Sequence, residues 1–501
     1  MIIETEVLVI GSGFGAAAPA LRLAQAGFKV TMIEKGPHID PFKDFRQTSD
    51  PQYLMTYLKG LASDQLSLTF AEALGGGSGF YEMVSLRAPS LVFEQVDEAG
   101  RRLWPSGVDR RTLDPYYDIA EEMLQVTQIP PDKVPKSGQV FAMMMKRLGY
   151  TCDRARYAER GCVGSGFCVT GCIYAAKQSL LLNYLPQAIA AGAGLETDVE
   201  ALRITPLRGP GYEVRCRRGQ AAITYRTRIL ILGGGTVGTA RLLLASQDTL
   251  PLLGAHVGHN IAFNGSVKAA GLLADDLPDG DMFTGRTHPG MISYEFLESH
   301  GVTISAAKAM PLQLIAGVRL RMHDDTRASG PDWWGSANVD LMQRCRRRLI
   351  ALYSLGLTPP CARLTLGSDG SPVLHLDLTA DLARYHKRTE ELLHSILLRT
   401  GCRLVDIQFV DRGGAPREAL GFSTAHQVGS CRMADSKSHG VVNAAGEAFD
   451  YPGLYISDGS AIPSSLAVNT SLTILANAER IAAGIAQASA SHCPTAPRAL
   501  S

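Results

Sequence analysis

The chain has almost no charge bias: 49 Lys and Arg stand against 48 Asp and Glu over 501 residues. A field of one sign that would draw in nucleic acid or an anionic membrane is missing, so neither partner is expected. No apolar run approaches the ~20 residues of a membrane span, so no transmembrane segment is expected either. The opening stretch, MIIETEVLVIGSGFG, has no basic n-region and no small-residue cleavage site, which predicts a cytoplasmic protein. Ten cysteines at irregular spacing in so long a chain do not form a disulfide pattern, and reduced thiols fit that compartment.

Glycine is what the chain has in quantity. Its 51 glycines fall largely in tight clusters, the pattern of backbone held close to a ligand. At this length two domains sharing a cleft are expected, and the Ala-, Ser- and Pro-rich end, SASHCPTAPRALS, reads as a loose tail.

Val7 to Ile10 form a short apolar run, followed by Gly11, Gly13 and Gly15 and an alanine-rich segment to Gln25. Gly27 closes that helix, and Phe28 to Ile33 form a second strand ending at Glu34. Strand, glycine turn, helix, strand, acid is the dinucleotide fingerprint in its proper context. Gly11 allows the tight turn, and Gly13 lets backbone N–H groups approach a pyrophosphate at the helix start. Ala16 stands where a third glycine is usual. Glu34 can accept from a ribose diol, while its charge would repel a 2′-phosphate. Pro19, inside the helix, is expected to kink it or shift its start.

FAD and NAD share this fingerprint, so the other glycine clusters must decide between them. LGGGSGF at 74–80 is a second flexible cradle or a plain hairpin turn, with Ser78 able to bond a phosphate or ribityl oxygen. RILILGGGTVGTARLLLAS at 228–246 again reads strand, turn, helix. No acid closes a following strand, and no redox Cys pair follows the first unit. The segment is therefore expected to add a strand to the same cofactor domain.

Near the other end, His426 in HQVGSCRM precedes DGSAIPSSLAVNTSLTI, which places Asn469 before an apolar helix from Thr470 to Ile485. Removing hydride from an alcohol needs a base for the hydroxyl proton and a second polar group to hold the oxygen. A neutral imidazole supplies the first, and an amide that both donates and accepts supplies the second. Asn469 also suits a plain helix N-cap. Cys162, Cys168 and Cys172 invite a metal reading, but their gaps of five and three residues do not suit zinc, even with Cys152 as a fourth ligand. No metal is expected, and buried thiols in a glycine-rich turn are the preferred reading.

Taken together and in order, these blocks resemble the glucose-methanol-choline (GMC) oxidoreductases, a family of FAD enzymes. The resemblance rests on IGSGFGAA, the GGGS run, WPSGVDRRTLDPYYDIAE at 104–121, GGGTVGTARLLLAS, and HQVGSCRM with HGVVNAAGEAFDYPGLYISDGSAIPSSLAVNTSLTILANAERIA. CVGSGFCVTGCIYAAKQSLLLNYLPQA at 162–188 looks most like the bacterial cholesterol-oxidase-like and long-chain alcohol oxidase branches, and the asparagine at 469 resembles the cholesterol-oxidase-like and choline-type pattern.

The fold implied is α/β, a Rossmann-like FAD-binding domain interleaved with an α+β substrate domain built on an antiparallel sheet. FAD-binding segments would be 1–100, 190–265 and 425–501, and the substrate or cap domain 101–189 and 266–424. By motif, the resemblance places Glu34 at the adenosine ribose and Gly11, Gly13 and Gly15 at the pyrophosphate. Gly76, Gly77 and Ser78 would line the flavin, and Val199 would give adenine a backbone contact. Asp458 and Gly459 would meet the ribityl and phosphate region, and Asn469 and Thr470 the isoalloxazine edge. The N-terminus of the last helix would favour negative charge on that ring.

The reaction implied is oxidation of a CH–OH group, His426 taking the hydroxyl proton as hydride passes to flavin N5. The substrate would be an apolar or bulky alcohol, and the electron acceptor O2 or another carrier. A sugar-like alcohol, hydroxynitrile cleavage without net redox, and a non-catalytic electron-transfer flavoprotein are the alternatives. Some relatives attach FAD through a histidine near the GGGS run. No histidine lies between His38 and His256 here, so non-covalent FAD is expected. The region 265–425 reads as an antiparallel sheet with helices on one side. Met282, Phe283, Met291, Met310, Trp333 and Trp334 are its candidate pocket residues or plain core.

Overall fold

The computed structural model describes residues 1–281, 284–307, 318–323, 336–409 and 421–491. Its larger mixed sheet is built on the strand Ile2–Ile10, whose Val7, Leu8 and Val9 are fully buried. That strand runs parallel to Val30–Ile33 on one side and to Ala221–Leu232 on the other. Gly194–Glu196 extends the sheet beyond Val30–Ile33, also in parallel. The short apolar run in the sequence is thus a central strand covered on both faces, as parallel sheets require.

Ala221–Leu232 changes partner along its length. Its first half pairs antiparallel with Tyr212–Arg218, which pairs in turn with Glu200–Pro206. Its end pairs parallel with Leu454–Ile456. The second glycine turn therefore belongs to the same sheet as the first, as expected.

The helix Phe14–Gln25 keeps Pro19 in its interior. Proline has no N–H for the carbonyl four residues back, that of Gly15. The hydroxyl of Ser457 donates to that carbonyl at 2.6 Å, so the acceptor that Pro19 leaves free is satisfied from the far end of the chain. The last helix, Ser471–Ser491, starts one residue later and ends six later than the apolar pattern indicated. It is tied to the first helix by Arg22, which grips both carboxylate oxygens of Glu479 at 2.8 Å. Tyr184 donates to the same buried carboxylate at 2.7 Å.

A second sheet is antiparallel throughout, in the order Val318–Met322, Arg403–Phe409, Lys268–Leu272, Leu349–Gly356, Val302–Ala307, Met291–Ser293 and Asp153–Arg154. Helices were expected on one side only, but the strand Lys268–Leu272 has them on both. Ala270 and Leu272 cluster with Cys345 of helix Ser336–Arg348. A Cβ on Gly271, between them, would stand 3.4 Å from Leu397 of helix Ala380–Arg399. Met291 is buried, whereas Met282, Phe283, Met310, Trp333 and Trp334 lie outside the described residues. A small third sheet, Leu58–Ala62, Leu66–Ala71 and Phe422–Thr424, delivers the chain to His426.

Candidate active site

The two glycine turns meet. A Cβ on Gly76 would stand 3.0 Å from the Cα of Gly13, and Gly75 N–H donates to Ser12 Oγ at 2.9 Å. Ser12 Oγ in turn donates to Glu34 at 2.6 Å, and Gly36 N–H adds a second bond to that carboxylate at 2.8 Å. Burial raises the Glu34 pKa against these bonds. Val199 N–H donates to the Glu34 carbonyl, so the candidate adenine contact sits beside the candidate ribose contact.

Close packing explains two of the glycines. Gly11 has φ +99°, and a Cβ there would overlap the Gly233 carbonyl. A Cβ on Gly15 would overlap Asp458. Gly77, by contrast, is exposed with nothing within 4 Å of its Cβ position, and so borders open space.

This cradle fits a dinucleotide. Gly13 precedes the first helix without a side-chain cap, which leaves first-turn N–H groups for an anion. Gln427 donates to Thr69 O at 2.9 Å, and its Oε1 is buried without a partner, an acceptor for a bound group's N–H or O–H.

Two candidate contacts look different once their bonds are counted. The Ser78 hydroxyl donates to Gly75 O at 2.7 Å and accepts from Leu180 N–H at 3.2 Å. Its proton is directed at the Gly75 carbonyl in this arrangement. Asp458 accepts from Gly235 N–H, Thr239 Oγ, Ser460 N–H and Ser460 Oγ at 2.5–2.8 Å. Its carboxylate fastens the second glycine turn to the DGS turn, and burial raises its pKa.

The segment after Gly459 is laced to the histidine loop. Gly429 N–H donates to Gly459 O, Cys431 N–H to Ser460 O and Met433 N–H to Ala461 O, at 2.8–2.9 Å. This lacing brings His426 to Asn469, Nε2 to Nδ2 at 3.2 Å. Asn469 and the buried Thr470 stand immediately before the last helix. Burial pushes the His426 pKa down to about 4, so the ring is neutral at physiological pH.

Family descriptions for the N- and C-terminal GMC oxidoreductase regions match residues 6–263 and 401–478. This chain belongs to the GMC oxidoreductase family. Its relatives include a cholesterol oxidase of Mycobacterium tuberculosis (strain ATCC 25618 / H37Rv), 27% identical over 96% of this chain and 90% of the relative. A long-chain-alcohol oxidase of Arabidopsis thaliana is 24% identical over 96% of this chain and 67% of its own length. Pyridoxine 4-oxidase from Mesorbium loti shares the fold at a TM-score of 0.68 and 15% identity, covering 96% and 99% of the two chains. A formate oxidase of Aspergillus oryzae RIB40, described for its FAD modification, does so at 0.68 and 14%, covering 98% and 99%. The chain is thus an oxidoreductase of a flavoprotein family acting on alcohol-type substrates, with the mixed α/β fold expected.

Sequence reasoning missed one residue at the centre of this candidate site. Asn264 is buried and lies 3.4 Å from Nδ1 of His426. Its Oδ1 accepts from Leu466 N–H at 3.1 Å and its Nδ2 donates to Val468 O at 2.8 Å, which fixes the amide's orientation. A neutral imidazole has one lone pair and one N–H, so two flanking amides cannot both donate to it. The lone pair therefore faces one of them: Asn264 at Nδ1, with the ring proton on Nε2, or Asn469 at Nε2, with the ring proton on Nδ1.

Of the cysteines between 152 and 172, only Cys168 is buried; Cys152, Cys162 and Cys172 are half-buried, which corrects the expectation of wholly buried thiols. Among the described residues no three His, Cys, Asp or Glu are grouped to hold a metal ion. No helix there is long and apolar enough to cross a membrane.

Proposed function

We propose that this GMC oxidoreductase oxidises a CH–OH group to an aldehyde or ketone, using non-covalently bound FAD and an apolar or bulky alcohol. The observation that carries this reading is the 3.2 Å approach of His426 Nε2 to Asn469 Nδ2 at the start of the last helix. FAD, when bound, supplies a hydride acceptor. Gly11, Gly13, Gly15, Glu34, Val199, Gly76 and Gly77 would hold it, with Ser78, Asp458 and Gly459 shaping the turns around it. Asn469 and Thr470 would meet the flavin edge. In this reading residues 1–100, 190–265 and 425–501 form the FAD portion, and 101–189 with 266–424 the substrate portion. The oxidases among the relatives support the substrate class. O2 or another carrier would reoxidise the flavin.

His426 takes the hydroxyl proton in the first division of labour, for which Nε2 must offer a lone pair. Its low pKa keeps it neutral, and the amide of Asn469 holds the oxygen. The Asn264 contact favours a second division, in which the hydroxyl proton leaves to water and Nε2–H donates to the oxygen, stabilising it as negative charge develops. Both place the alcohol oxygen between His426 and Asn469.

The test is anaerobic addition of sterols, long-chain and aromatic alcohols, sugars and choline while flavin absorbance is followed, before oxygen is admitted. Bleaching by an alcohol is expected. A hydroxynitrile lyase or a non-catalytic subunit would leave the flavin oxidised with every alcohol, and that result would remove the proposal. His426→Ala should slow bleaching by roughly 10²–10⁴-fold.

A further inference from the structure

The segment 159–177 leaves the fold and returns to it at one neck. Glu159 and Lys177 form a β-bridge, Arg160 N–H donates to Ala176 O at 2.8 Å, and Gln178 N–H donates to Ala158 O at 2.9 Å. Inside this loop Cys162, Cys168 and Cys172 border one small cavity together with Met83, Lys177 and Arg286. Its volume of about 20 Å³ leaves room for a molecule about the size of water and for no organic ligand. The thiols are near enough to act on one another through their charges. Cys162 responds to Cys168 more than to Cys172, and Lys177 responds to all three.

Cys168 and Cys162 are held differently. Cys168 opens the short turn Cys168–Thr170, and its carbonyl accepts from Lys177 Nζ at 2.5 Å and from Gly171 N–H at 3.3 Å. A Cβ on Gly171 would overlap Phe45, whose ring meets Phe80 edge-on, so this end of the loop is fixed. Cys162 is half-buried beside the exposed Val163, and its sulfur accepts from Gly164 N–H at 3.4 Å. Between the two thiols the chain bends at Gly164 (φ +71°) and Gly166 (φ +81°). Glycine makes that backbone easy to reshape. Burial raises the Cys162 pKa, against the Gly164 N–H and the Lys177 charge, so its thiolate is scarce at neutral pH and grows as pH rises. Lys177 joins the loop to the glycine cradle. It is buried, and besides Cys168 O its ammonium donates to Gly79 O at 2.8 Å, at the end of the turn Gly76–Gly79. A shift of the Cys168 carbonyl is therefore passed to the cradle through one side chain.

We propose that Cys162 and Cys168 are a site of reversible oxidation, closing to a disulfide with hydrogen peroxide as oxidant, and that Lys177 passes the change to the flavin cradle. The Cys162 thiolate attacks one peroxide oxygen and the O–O bond breaks. Hydroxide leaves, takes up the thiol proton as water, and a sulfenic acid remains. The Cys168 sulfur then attacks the Cys162 sulfur, and the S–O bond breaks as the second thiol proton leaves with the hydroxyl as water. The two thiols give up two electrons and the peroxide gains them. This thiol chemistry needs no flavin, whereas its effect on the cradle rests on the FAD reading.

The experiment uses the full-length protein, reduced, freed of reductant and treated with hydrogen peroxide at neutral and at mildly alkaline pH. Two of the ten thiols should disappear when counted under denaturing conditions. A digest should contain a peptide pair joined between Cys162 and Cys168, lighter by two hydrogens than the separate peptides. Dithiothreitol should restore both thiols, and the alkaline reaction should be the faster. Cys162→Ser should abolish the loss, and Cys172→Ser should leave it unchanged. The oxidised protein should bind FAD about tenfold more weakly, the scale of one bond from a charged donor. Reduction should restore the affinity, Cys162→Ser should keep it under peroxide, and Lys177→Met should lack it even when reduced. Ten thiols surviving peroxide, or a link through any other pair, would overturn the site. A Cys162–Cys168 disulfide with FAD affinity unchanged would overturn the link through Lys177. Protein that binds no FAD in either state would remove the FAD reading and that link together, while the disulfide stands.

Discussion

Nδ2 of Asn264 stands 3.4 Å from Nδ1 of His426, in an amide whose other bonds are to Leu466 and Val468. Asn264→Asp keeps the size but accepts a bond from Nδ1, which moves the ring proton there and leaves a lone pair on Nε2. The expected result is flavin reduction slowed by roughly 10- to 100-fold, because the oxygen loses its Nε2–H donor. A rate equal to or above wild type would instead leave His426 as the base. Asn264→Leu, which pins neither tautomer, should also slow reduction, and comparing the two pH profiles separates proton position from simple loss of packing.

The bond between Ser457 and the Gly15 carbonyl can be tested by a double-mutant cycle. Ser457→Ala leaves a buried carbonyl without a donor and should cost about 1–3 kcal/mol in urea unfolding. Pro19→Ala restores an N–H to that carbonyl within the helix. The double variant should therefore lose much less than Ser457→Ala alone, and strictly additive costs would show that the hydroxyl does not act through Gly15.

Stability should depend on pH through His426 and His288. Burial pushes both pKa values down to about 4, against about 6.5 for an unfolded histidine. Between these values the unfolded chain binds protons that the folded chain refuses. Their contribution is thus complete above about pH 6.5 and is lost as pH falls towards about 4. Glu34 and Asp458, raised by burial, act in the opposite sense, so the readout is the difference between proteins. Thermal midpoints of His288→Gln and His426→Asn should fall less steeply with acid than those of wild type; parallel curves would contradict the assignment.

Acid precipitation tests the mode of flavin attachment. The yellow chromophore is expected in the supernatant, since the chain has no histidine between His38 and His256. Colour that stays with the pellet would show a covalent link through another residue.

The cofactor fingerprint was legible because its parts are local. Gly11, Gly13, Gly15 and Glu34 lie within one strand-turn-helix-strand unit, and spacing alone carries their meaning. His426 and Asn469 were legible through the motifs around each of them. Asn264 was not, because nothing near it in sequence marks it. Its role arises only where it meets His426 and the 466–468 backbone. The same holds for Ser78 and Asp458, whose residue types suit a ligand but whose polar atoms are used by the protein itself. Pro19 shows the reverse: a local rule marks it as a helix breaker, yet the helix runs through it and Ser457 meets the carbonyl it leaves free.

The pairing of Leu454–Ile456 with Leu230–Leu232 has a consequence for biosynthesis. A ribosome releases the first glycine turn long before it makes Ser457, Asp458 or Asn469, so the nascent N-terminal unit lacks the groups that press on Gly15 and bond its carbonyl. The cradle can close only after nearly the whole chain has emerged. Loading with cofactor is therefore expected only after synthesis, and a chain cut short before residue 454 should be recovered as colourless protein.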